Sequence, residues 1–143
     1  MKTYCAVLLM GGLGFAEAAT VPGVFNTGVD AEGKLIETNG TTDPHYQLVE
    51  SADEMNPGPE AVTLNPGFPV GPWLAEGPDS RWIAPRAEQN LGSAEGDYTY
   101  RTTFSLDGFD SESARLTGRW ATDNGGVDIL INGESQFITA GGF

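Results

Sequence analysis

One histidine, one cysteine at position 5 and 20 acidic residues set the chemistry that this 143-residue chain can carry. A Ser-His-Asp relay would have to use His45, and a zinc site would lack the usual set of nitrogen ligands. The neighbours of His45 suggest a simpler role. Pro44 fixes an extended lead-in to a strand that begins at Tyr46, and His45 makes a local hydrogen bond at its start; contact with a ligand is the other role kept for it. Acidic pairs such as Asp53/Glu54 or Asp123/Asp128 are of the type used in glycoside hydrolysis, which needs two carboxylates about 5 to 10 Å apart across a sugar cleft. With so many carboxylates such pairs arise by chance, so no catalytic residue is assigned and the chain is read as a non-enzyme. Asp123 reads as a turn residue whose side chain bonds to following backbone amides, with Asn124 beside it as a candidate ligand contact. Asp128 reads as the partner of Arg119 or Arg101 across a wet sheet face. Calcium between Asp123 and Asp128 is the one cofactor considered, and that segment lacks the full EF-hand spacing and its terminal Glu.

Trp73 and Trp82 lie in a stretch rich in proline and glycine, where an indole either seals the edge of a sandwich or offers a flat apolar face to a sugar ring. Trp82, between Arg81 and Ile83, has the more strand-like setting and reads as the better core residue; Trp73 is the better platform. Asn39-Gly40-Thr41 matches a glycosylation sequon, a frequent chance match that matters only in a eukaryotic secretory pathway.

Lys2, the mostly apolar run from Tyr4 to Phe15 and the small residues at Ala16 and Ala18 predict a secretory signal peptide over 1–18. The run is shorter than the roughly 20 apolar residues needed to span a bilayer, and no later stretch approaches that length. Residues 19–143 are then one domain without a thiol, held together by packing rather than by disulfides. Its net charge of −13 repels phosphate backbones and excludes nucleic acid as a partner.

The elements that must position these residues are strands. After the leader no sustained apolar period of 3.6 residues occurs, whereas several short stretches alternate with period two between Gly, Asp and Asn punctuation. Strands are predicted over Tyr98–Leu106, Arg115–Thr122 and Val127–Asn132, with Trp120 as the core anchor and a fourth strand opening at Phe137. Shorter strands are predicted at Tyr46–Val49 and Ala61–Leu64, and a turn at Asp30–Gly33. Seven of the nine prolines, between Asn56 and Arg86, mark a long ordered surface excursion. The expected fold is an antiparallel β-sandwich of Greek-key or jelly-roll type. The strand pattern still running at Phe137–Phe143 suggests a truncated sandwich with an unpaired sheet edge.

Several segments occur in an order that resembles the N-terminal domain of bacterial exported proteins carrying a C-terminal PEP-CTERM sorting signal. They are Val24–Val29, Asp43-Pro44-His45-Tyr46, Trp82-Ile83, Tyr98–Phe104 and Gly118–Gly133. The last of them also resembles the Asp-Asn turn and "ING" hairpin of galactose-binding-like jelly rolls. No PEP motif, terminal hydrophobic helix or basic tail is present in the sequence. The resemblance implies export to the extracellular space or envelope of a Gram-negative bacterium. The functional expectation is a noncatalytic module that binds polysaccharide or another matrix component through Trp73, Trp82, His45, Asp123 and Asn124. The alternative is a purely structural or display domain.

Overall fold

Asp43-Pro44 organises the longest strand, β1 (Thr42–Ser51). Proline contributes no N–H to a ladder, and an aspartate side chain bonds readily to amides two or three residues on. Here Asp43 Oδ1 accepts from the N–H groups of His45 (2.7 Å) and Tyr46 (3.1 Å). The register of β1 against β2 (Glu60–Thr63) shifts between Thr42 and Gln47, where the extra residues bulge around that side chain. Ile83–Ala84 forms β3 and Tyr98–Arg101 forms β4, and the antiparallel sheet runs in the order β3-β2-β1-β4. A separate hairpin pairs β5 (Leu130–Ile131) with β6 (Glu134–Ser135) across the Asn132-Gly133 turn.

The computed structural model describes residues 19–142; the expected signal peptide, with Cys5, and Phe143 lie outside them. The described chain is all-β, with one 3-10 turn (Gln89–Leu91) and no α-helix. No helix among these residues is long and apolar enough to cross a membrane.

The core sits earlier in the chain than the alternation predicts. Its buried apolar residues are Val29, Ile36, Leu48, Ala61, Leu64, Ala84 and Ala87. Thr63, fully buried, bonds through its hydroxyl to the Thr38 carbonyl and the Thr41 amide, holding the Asn39-Gly40 turn against β2. Gly58 is required where the chain returns from β1 to β2, because its φ is +92° and a Cβ there would lie 2.3 Å from the Leu48 carbonyl oxygen.

Several sequence expectations differ from the structure, among them the fourth strand expected from Phe137, which has only an isolated bridge at Ala140 and leaves Phe137 exposed. The strand expected over Tyr98–Leu106 has ladder partners only to Arg101; Arg115–Thr122 has none; and Val127–Asn132 is reduced to the two residues of β5. Leu116 is 61% exposed and Val127 70%, and Trp120 is half-buried against Gly126 rather than at the centre of a core. Alternation states which face is apolar if a strand pairs. It does not supply the neighbouring strand: among the described residues 102–106 and 115–122 have none, and 127–132 has only the two-residue β6. The turn at Asp30–Gly33 forms as expected, with Asp30 Oδ1 accepting from the Glu32 and Lys34 amides.

Candidate functional site

Between the sheet and the segment from Thr102 to Ile138 lies an open cleft of about 3560 Å³, lined by Trp73, Trp82, Trp120, Tyr98, Tyr100 and Phe104 among others. Asp123 and Asn124 border this space as well, as do about half of the described residues, so four of the five candidate ligand residues face the same open space, which does not by itself put them in contact. The fifth, His45, does not line it. Its ring stacks on Phe25 with centroids 3.7 Å apart, and Nε2 lies 2.7 Å from the Asp30 carbonyl oxygen. That bond requires the proton on Nε2. The ring's bond is not the local one expected at the strand's start: it reaches 15 residues back to the Asp30 turn.

The wall bearing the two tryptophans is held by Arg81, whose side chain is 11% exposed. Its guanidinium donates from Nε to Glu76 (3.0 Å), from Nη1 to the Ile36 carbonyl (2.6 Å) and from Nη2 to Asn39 Oδ1 (2.6 Å). The planar fork serves three partners at once, a task a lysine ammonium on its flexible stem does less well. The backbone of Arg81 bonds to Thr27, and Asn26 Nδ2 donates to the Asp79 carbonyl, so the proline-rich excursion is fastened along its length. Trp82 Nε1 donates to the Leu74 carbonyl at 2.8 Å, which fixes its indole against the loop carrying Trp73. The Trp73 ring lies 6.3 Å from Phe68, centroid to centroid. Both tryptophans are half-buried, leaving part of each indole at the cleft surface.

Beneath this wall Gly28 and Asp43 form a second clamp. Asp43 is 2% exposed, and its Oδ2 accepts from the Gly28 amide at 2.6 Å. Gly28 has φ +71°, and a Cβ there would lie 2.4 Å from Arg81 Cβ. The three groups thus stack as Asp43, Gly28 and Arg81, connecting β1 to the tryptophan wall. Burial, and then the nearby Asp43 charge, raise the pKa of the Tyr46 phenol and keep it protonated, and it donates to the Phe25 carbonyl.

Electrostatically the cleft is acidic: eight carboxylates line it against four arginines. Asp128 does not pair with Arg119 or Arg101. Its carboxylate accepts from the Ser135 hydroxyl and from the Ile129 (2.8 Å) and Ile138 (3.1 Å) amides. The Ser135 bond, with those amides, holds the carboxyl below the ordinary carboxylate range. That carboxylate is committed to the β5–β6 hairpin, while Asp123 is exposed on the cleft wall. Among the described residues no group of three or more His, Cys, Asp or Glu side chains is gathered to hold a metal ion.

Asp43 and Arg81 escaped the sequence reading as structural centres. Pro44 signalled an extended lead-in to the strand, but nothing local announced the bulge at Asp43 or that its second carboxylate oxygen reaches Gly28. Neither a protein-family model nor any curated protein or solved structure matches this chain.

Proposed function

We propose that this is a noncatalytic, exported binding module that holds neutral polysaccharide or a similar matrix component in the cleft walled by Trp73 and Trp82. The observation that supports this reading is that Trp73, Trp82, Asp123 and Asn124 all border one open, aromatic-lined space. Indole faces stack on the C–H faces of sugar rings, and Asn and Asp side chains bond to hydroxyls; a few polar groups on an aromatic floor suit such a ligand. The surplus of carboxylates on the lining disfavours anionic glycans and selects neutral ones. Export is part of the proposal and rests on the residues of the expected leader. The jelly-roll sandwich is also proposed; the period-two alternation of the sequence over 98–106, 115–122 and 127–132 supports it.

A pull-down of the purified protein on a panel of neutral and acidic polysaccharides tests this function. Retention on a neutral polymer and not on acidic ones is the expected result. Retention on none of them removes the binding reading and leaves the display alternative.

A further inference from the structure

We infer that the free edge of β4, continued through Leu106, is a homodimerisation edge at which a second copy of this chain pairs antiparallel. β4 is an outermost strand of the sheet, hydrogen-bonded to β1 on one side only. Beyond Arg101 the sequence alternation continues without a ladder, and burial does not follow it: Thr102 and Leu106 are half-buried, whereas Arg101, Thr103, Ser105 and the apolar Phe104, 42% exposed, face outward. No backbone hydrogen bond joins residues 102–105 to another described residue. Gly23 approaches Phe104, with a Cβ built there 3.4 Å from Phe104 Cβ, and makes no backbone bond to it. Unpaired strand edges recruit other strands, and proteins usually blunt them with lysine, proline or inward charges. The segment Tyr-Thr-Tyr-Arg-Thr-Thr-Phe-Ser-Leu over 98–106 has none of these devices.

Charge and register identify the occupant. In a chain of net charge −13, residues 98–106 contain no acidic residue and a single arginine, so two copies can meet here without local repulsion. Antiparallel pairing about Thr102 sets Tyr100 opposite Phe104, Arg101 opposite Thr103, Thr99 opposite Ser105 and Tyr98 opposite Leu106. Apolar positions then meet apolar ones and polar meet polar, as a twofold, self-complementary contact requires. Asp97 falls opposite Asp107 at each end and limits the pairing to these nine residues. The result is one continuous eight-stranded sheet across two protomers.

Sedimentation equilibrium at low and high salt, with amide hydrogen exchange, tests this. A dimer is expected whose dissociation constant tightens as salt screens the repulsion between the two acidic bodies, with amides 99–105 protected only in the dimer. Thr103→Lys places a lysine opposite the other copy's Arg101 at two symmetric sites and should weaken dimerisation about tenfold. Thr103→Glu places an acid there and should preserve or tighten it. Both substitutions fall on an exposed position, so folding should survive in each. A monomer at all concentrations and salts, equal effects of the two variants, or protection mapping elsewhere than 98–106 would overturn the inference. Trp73→Ala should leave the dimer intact, which separates this edge from the proposed glycan wall.

Discussion

Replacing Asp43 by alanine removes an acceptor that serves three backbone donors, and its cost can be worked out from the bonds. The carboxylate is 2% exposed and receives the Gly28, His45 and Tyr46 amides at 2.6, 2.7 and 3.1 Å. All three partners are donors, so the backbone dipoles hold its charge. Each donor left buried without an acceptor costs about 1–3 kcal/mol, reduced where water can enter the vacated space. Asp43→Ala should therefore lose about 3–5 kcal/mol, a large share of the 5–15 kcal/mol that typically holds a domain folded. Asp43→Asn keeps one acceptor oxygen but must turn its amide nitrogen toward at least one N–H group, whichever way it is flipped. It should lose about 2 kcal/mol. Urea melts followed by tryptophan fluorescence measure both values; with a slope of about 1–3 kcal/mol per molar, the alanine variant's midpoint should fall by about 2 M. A loss below about 1 kcal/mol for alanine would show that Asp43 is not the clamp between β1 and Gly28.

Other perturbations probe the same framework. Gly28→Ala forces a side chain into a φ of +71° and against Arg81, and should cost about 2–4 kcal/mol in the same melts; a neutral result would place Arg81 elsewhere. Arg81→Lys, which cannot serve Glu76, Ile36 and Asn39 together, should cost about 2 kcal/mol, and equal stability of the two proteins would contradict the fork geometry. Burial raises the Tyr100 phenol well above its ordinary pKa of 10.0. The unfolded chain therefore ionises first, so this contribution to stability is intact below pH 10 and is lost as pH rises above it. Tyrosinate absorbance should lag in the folded protein and appear with unfolding; full titration near pH 10 in the folded state would refute the burial.

Local chemistry was legible where one residue acts on its neighbours. The Asp30 turn, the Asp43-Pro44 lead-in and the short strand at Ala61 could be read because turn-forming side chains and alternation act within a few residues. The extent of the later strands could not be read. The pattern from Tyr98 to Leu106 is genuine in the sequence, but burial does not follow it beyond Arg101, where Phe104 is exposed; pairing is a property of two segments and only one is evident in the sequence. Trp120 illustrates the same limit: its phase with Leu116 suggested an anchor, but without a partner strand Leu116 is exposed and the indole rests on Gly126. That Trp73, Trp82, Asp123 and Asn124 border one open space was likewise beyond local reading, since they lie as far as 51 positions apart in the sequence.

Fluorescence titration with a neutral oligosaccharide, run in parallel on the natural protein and on Trp73→Ala, tests the binding cleft most directly. The account predicts a saturable spectral shift in the natural protein and its loss in the variant, with the melting temperature nearly unchanged because part of the half-buried indole sits at the cleft surface. No shift with any neutral glycan, together with a stability loss of about 3 kcal/mol or more in Trp73→Ala, would make Trp73 a structural seal and contradict the account.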